Sequence, residues 1–398
     1  MKTETKLIHT NTVKDQFGSV TTPVYRTSTY AFDSVEEFSR VADILHSDVN
    51  GAYLYSRMTN PSTEALESKI AELEGAEAAV VTASGLGAIT SVMWTFLKSG
   101  DNIVADNCLY GDTFALFSKV LHKFGVTLTQ VDFNDLEAVK NALNEKTAIV
   151  YCESPANPTM KVNDLKEIST IAHSYNKDIK VIVDNTFNTG YIQRPIELGV
   201  DITVQSMTKY LGGHSDIVGG VVCGSKADMI DIRFYGVEIT TGAVLSPDNA
   251  FLVTRGLSTL KARMDIHCQN AMKIAEYLEA SPYIKSVCYP GLKSHPCHET
   301  AKKQMDQFGG MLSFETSMTF DETVKFITNL KIVKIAVSLG GVESLLEHPA
   351  SMTHRKLTEK ELEEAGISPT QIRLSVGIEN VEDLIGDLQQ AFESVKNL

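Results

Sequence analysis

At 398 residues the chain is long enough for two domains with separate cores, and its 43% apolar and 22% charged shares are those of an ordinary globular protein. A formal charge of −14 argues against a nucleic-acid or anionic-membrane surface, though a local basic pocket for a phosphate stays open. No apolar run is long enough to span a bilayer, and MKTETKLIHTNTVKDQ lacks the apolar core of a signal peptide. The six cysteines form no CxxC pair. The expectation is a cytoplasmic protein with reduced thiols.

In chain order, residues 1–60 are rich in Gly, Thr, Ser and Pro and show no strong periodicity. So long an irregular segment is expected to pack as an arm against a neighbouring subunit or to reach into its site. A helix opens at Asn60-Pro61, with Asn as N-cap and Pro in the first turn, and STEALESKIAELEG carries it to Gly75. The pattern then alternates. AAVVTAS, NIVADN, TLTQVDF, AIVYCES, KVIVDNT and TVQSM read as strands, and GAITSVMWTFLKSG, LEAVKNAL and LKEISTIAHSY as helices. Strands alternating with helices imply right-handed crossovers and a mostly parallel sheet, here over residues 61–255. After GGVVCGS, a long helical stretch, PDNAFLVTRGLSTLKARMDIHCQNAMKIAEYLEA, bridges to a second domain over residues 256–398. There VCYPG, GGMLSFE, IVKIAVSLG and IRLSVGIE suggest an antiparallel sheet, with helices such as VEDLIGDLQQAFESVKN on one face. The fold class expected is α/β, a large mostly parallel sheet domain plus a smaller α+β C-terminal domain.

The chemistry concentrates at two strand ends. Asp184 closes VIVD, and Lys209 follows VDITVQS in Ser206-Met207-Thr208-Lys209-Tyr210. Ligands of such sheets bind outside the carboxyl ends of the strands. A lysine and a carboxylate there are what pyridoxal phosphate (PLP) needs: the amine joins the cofactor's aldehyde, and the carboxylate keeps the pyridine nitrogen protonated. Taken singly, Lys209 would be a solvated surface lysine and Asp184 a turn residue; the pair is more telling. Ser84-Gly85-Leu86-Gly87, between a strand and a helix, is either a tight turn or a phosphate cradle. Ser206 and Thr208 could approach the same spot. Tyr110, in Tyr110-Gly111-Asp112, is a core tyrosine or one that stacks on a cofactor and offers its hydroxyl as an acid. Arg57 is exposed or binds a phosphate bidentately. Arg373, alternating with apolar neighbours in QIRLSVG, needs a carboxylate, internal or from a substrate. His295-Pro296-Cys297-His298 has no second ligand pair at suitable spacing, so no metal site is expected.

These residues stand in longer motifs. PVYRTSTYAF, YSRMTNPS, SGLGA, ESPANPT, VDNTF, SMTKYLGGHSD, EHPASMTH and IRLSVGIE together resemble the Cys/Met-metabolism (trans-sulfuration) family of PLP enzymes, across essentially the whole chain. The resemblance implies an aspartate aminotransferase-like fold of type I and a homotetramer of two close dimers. It implies cofactor contacts from Lys209, Asp184 and Tyr110 and a phosphate held by Gly85, Leu86, Ser206 and Thr208. Tyr55 and Arg57 would join these from a neighbouring subunit, and Asn157 would lie near the ring oxygen. Ser338 and Arg373 would bind the substrate carboxylate, and Tyr55, Asp112 and Val337 would also line the substrate pocket.

Within the family the nearest likeness is to the methionine γ-lyases, which eliminate a thiol from methionine. Leu54, Ala115 and Val337 are apolar or small where cystathionine lyases tend to place polar groups. Such a pocket discriminates weakly, by about 1–3 kcal/mol per methylene, so homocysteine and cysteine could enter as well. Two departures stand against that likeness: Asp112 where those lyases usually carry cysteine, and Glu238-Ile239 where they carry Lys-Asp. An added carboxylate disfavours a second anion and attracts a cationic amine. The alternatives are a cystathionine γ- or β-lyase, and a γ-replacement transferase such as cystathionine γ-synthase or O-acylhomoserine sulfhydrylase. A binding protein without catalysis is poorly motivated, because every expected cofactor residue is present.

Overall fold

The apolar runs assemble into two sheets in the computed structural model, which describes residues 1–10, 15–45, 51–352 and 368–396. Parts of the arm, Thr353 and His354 of EHPASMTH, and Asn397 lie outside these residues.

The first sheet holds β1 (Ala78–Thr82), β2 (Asn102–Asp106), β3 (Thr127–Val131), β4 (Thr147–Glu153), β5 (Lys180–Asp184), β6 (Ile202–Ser206) and β7 (Gly220–Gly224), in the order β1-β7-β6-β5-β4-β2-β3. β7 runs antiparallel to both its neighbours, and the remaining pairings are parallel. Both faces are covered, which is why these strands read as continuous apolar runs. Along β5, Ile182 joins the core beside helix Gly85–Phe96, while Val181 and Val183 join the core beneath helix Leu165–Tyr175. Asp106, Glu153, Asp184 and Ser206 all end parallel strands, so the register sets them along one edge.

The second sheet holds β8 (Ile284–Cys288), β9 (Met311–Thr316), β10 (Lys334–Ile335), β11 (Leu345–Glu347) and β12 (Gln371–Ser375), in the order β10-β11-β12-β9-β8. Ile372 and Leu374 of β12 point into a core with Phe314, Phe326, Leu388 and Phe392, under helices Phe320–Thr328 and Val381–Lys396. Alternation sends Arg373, between them, to the opposite face.

Three details depart from the sequence reading, and the bridging stretch is resolved more finely. The arm contains two helices, Thr3–His9 and Val35–Leu45; the first is pinned by Lys69 Nζ, which donates to the Leu7 carbonyl at 2.7 Å. The bridging stretch is two helices, Pro247–Leu257 and Leu260–Glu279, interrupted at Ser258-Thr259. Only Lys334–Ile335 of IVKIAVSLG is a strand, because Ser338 and Gly340 adopt positive φ and turn the chain. The second sheet is mixed, since β10 pairs parallel with the short β11. The helix at Asn60 forms as expected: the Asn60 side chain accepts from Ser62 N–H, and Gly75 closes it in the left-handed conformation.

Candidate active site

Lys209 lies just beyond β6, half-buried, where the two sheets meet. Its Nζ donates to the Ser338 hydroxyl at 2.7 Å. Desolvation, helped by the Arg373 charge and opposed by Glu347, lowers the ammonium to about 8. The Ser338 loop is held close by Gly340: a Cβ there would lie 2.7 Å from Tyr210 N, and its φ of +77° suits glycine.

Arg373 answers the question its sequence posed with an internal acid. One of its terminal nitrogens lies 2.5 Å from Glu347 Oε2, both side chains being buried. The two residues face each other across the β11–β12 register. Arg373 also donates to the Ser338 carbonyl at 3.1 Å and to Asn157 Oδ1 at 3.0 Å. Lys209, Ser338, Asn157 and Arg373 therefore form one connected group drawn from both sheets. The Ser338 hydroxyl and the Asn157 amide oxygen are engaged within it.

Asp184 accepts from Thr186 N–H at 2.9 Å, and burial pushes its carboxyl up. Among the described residues no ion pair reaches it. Glu153, its register neighbour on β4, is buried, and burial together with the Asp184 charge pushes it well up. Glu153 accepts from Tyr110 N–H at 2.6 Å and fixes the start of the Tyr110 turn. Below this edge, buried Glu74 accepts from Gln205 at 2.6 Å, Thr203 at 3.1 Å and Asn185 at 3.3 Å. It thereby ties β5 to β6, and burial raises it to about 7. Glu153, Glu74 and Glu347 escaped the sequence reading. Glu74 had one available signal, an acid in the last turn of an apolar-faced helix, where the dipole disfavours it.

Ser84 caps helix Gly85–Phe96 by accepting from Gly87 N–H at 3.0 Å. A Cβ on Gly85 would stand 2.9 Å from the Ser206 Cβ, so only glycine allows this helix start to meet the end of β6. Thr208 Oγ1 accepts from Gly219 N–H at 3.1 Å, and Leu86 is exposed. Tyr110 is half-exposed, and its hydroxyl donates to Asp112 Oδ2 at 2.8 Å. Val337, 57% exposed, immediately precedes Ser338. Tyr55 and Arg57 are not brought to Lys209 within the chain. They are exposed and line a separate cleft with Ser28, Asn60 and residues 244–247; the Arg57 guanidinium sits 5.7 Å over the Tyr55 ring.

This edge fits PLP. A desolvated carboxyl on half-buried Asp184 suits a protonated ring nitrogen, and a lysine near 8 suits union with an aldehyde. The glycine-started helix against Ser206 suits a phosphate.

Comparison with known proteins gives the same answer. The family described as Cys/Met metabolism PLP-dependent enzyme matches residues 4–393. The chain is similar to an L-methionine gamma-lyase of Fusobacterium nucleatum subsp. polymorphum, 49% identical over 391 residues, covering 98% of each. It is also similar to a cystathionine beta-lyase of Lactococcus lactis subsp. cremoris, 46% identical over 393 residues and 98% of each. Among solved structures it is similar to MetB from Corynebacterium glutamicum, with a TM-score of 0.90, 39% identity and coverage of 99% of this chain and 98% of that one.

Proposed function

Because the chain belongs to the Cys/Met-metabolism family of PLP-dependent enzymes, we propose that it is a carbon–sulfur lyase of the methionine γ-lyase kind. Its reaction would convert methionine and water to methanethiol, 2-oxobutanoate and ammonia, with homocysteine and cysteine as lesser substrates. The observation that carries the substrate choice is full-length likeness to L-methionine gamma-lyases, joined to an exposed apolar Val337 beside the Lys209–Ser338 contact.

Lys209, Asp184, Tyr110, Asn157, Gly85, Leu86, Ser206 and Thr208 would hold the cofactor. PLP, when bound, supplies the electron sink that lets the Cα proton leave. The chain does the rest. Arg373, pre-set by Glu347 and Asn157, has donors left for the substrate carboxylate. Lys209 Nζ, with its ammonium near 8, is suited to take the Cα proton near neutral pH. Ser338 Oγ orients that amine. The Tyr110 hydroxyl is suited to give its proton to the departing sulfur.

The separation of Tyr55 and Arg57 from Lys209 supports their service to a neighbouring subunit, and hence a homotetramer with shared sites. A cytoplasmic location accords with six free thiols, and no helix among the described residues is long and apolar enough to cross a membrane.

The test is competition. Purified protein with PLP receives methionine, homocysteine, cystathionine and cysteine together, and products are followed by mass spectrometry. Loss of methionine with appearance of methanethiol and 2-oxobutanoate is expected. Selective loss of cystathionine would replace this reading with a cystathionine lyase, and turnover only after an O-acylhomoserine is added would replace it with a γ-replacement transferase.

A further inference from the structure

Tyr110 and Asp112 form a pair that the family pattern does not account for, since the lyases this chain resembles usually carry cysteine at the second position. The turn after β2 enters the short helix Gly111–Ala115, and Asp112 in its first turn reaches back to accept the Tyr110 hydroxyl at 2.8 Å. The other end of Tyr110 is fixed by its backbone N–H donating to Glu153. Tyr110 is thus held at its backbone by Glu153 and at its hydroxyl by Asp112.

Three charged groups on three different elements act on that phenol. Asp112 on its own turn and Glu153 at the end of β4 oppose ionisation, while Arg373 on β12 favours it. Burial is the largest cause, the bond to Asp112 and the two acids add to it, and the phenol is pushed up to about 12. Were Asp112 a neutral residue, the cation would meet less opposition and the phenol would ionise at lower pH.

We propose that Asp112 is a positioning residue that holds the Tyr110 hydroxyl and keeps the phenol protonated until substrate arrives, when the hydroxyl exchanges its bond to Asp112 for one to the leaving sulfur and serves as the acid. In that step the Cγ–S bond breaks with its electron pair on sulfur, and the Tyr110 proton passes to it to give the thiol. Solvent then returns a proton to the phenolate oxygen. The inference rests on the lyase reading for the identity of the acceptor. The hydrogen bond and its effect on the phenol do not.

The experiment follows the ultraviolet tyrosinate band of the PLP-loaded enzyme as pH is raised. Each protein is compared with its own Tyr110→Phe counterpart, so that only Tyr110 is read. In Asp112→Asn the Tyr110 ionisation should move to lower pH by about half to one unit. Asp112→Glu, which keeps the charge, should return it toward the native position. The alkaline limb of kcat for methionine should move the same way, with KM changed less than about twofold. Asp112 is exposed, so neither variant threatens the fold. An unmoved Tyr110 ionisation in Asp112→Asn would overturn the proposal. A shifted ionisation in an enzyme that ignores methionine would uphold the pair and refute the methionine γ-lyase reading.

Discussion

The carboxyl edge of the first sheet and the Tyr55–Arg57 segment of the arm are both implicated in one site, yet the fold treats them differently. Asp184, Glu153 and Ser206 are placed by strand register, braced by the buried Glu74 and completed by a loop and strand from the second sheet. Tyr55 and Arg57 are exposed and lie in a cleft of their own. On the proposed reading, a single chain carries the ring-and-lysine edge, while its arm residues would serve the site of another chain. Substitutions at the edge should act within each chain, and those in the arm only through assembly.

The largest effect expected is from Lys209→Ala, which should lower turnover of methionine by more than about 10³-fold and remove the protein-linked imine absorption. Full activity in that variant would dissolve the edge as a catalytic unit. Next comes Arg373→Ala. KM should rise strongly with PLP still bound, and the chain should lose about 3–5 kcal/mol, because the buried ion pair with Glu347 is broken. Chemical denaturation of Arg373→Met with Glu347→Leu sharpens the point: stability should recover while KM stays high.

The brace beneath the edge has a pH signature. Glu74 is raised from 4.5 to about 7, so the folded state binds its proton more tightly than the unfolded chain does. Its contribution is whole below about pH 4.5 and is lost as pH rises toward 7, a change of up to about 3 kcal/mol. Glu74→Gln should flatten that part of the stability profile, and an unchanged slope would show that Glu74 is ionised throughout. The smallest effect belongs to the arm. Arg57→Ala should weaken PLP binding about tenfold while leaving stability within about 0.5 kcal/mol. If wild-type monomers bind PLP as tightly as the assembled protein, the contrast between edge and arm fails.

The edge was legible in the sequence because its strands are short apolar runs that end in a polar residue, and that pattern survives without knowledge of pairing. Lys209 and Asp184 were found that way, as was the capped helix at Asn60-Pro61. What pairing decides was hidden. Glu347 meets Arg373 only through the register of a three-residue strand, too short to show a period. Glu153 is one acid in ESPANPT until β4 is laid beside β5. Glu74 sits at the end of a helix whose apolar spacing drew attention away from it. The arm helices were missed because Thr3–His9 is short and held by a tertiary bond from Lys69, and composition masked Val35–Leu45.

Whether Lys209 carries the cofactor is read by borohydride reduction of the PLP-loaded protein followed by peptide mapping. One pyridoxyl mark per chain is expected, on Lys209, and none in Lys209→Ala. A mark on another lysine, or no mark on a chain that has taken up PLP, would contradict that expectation.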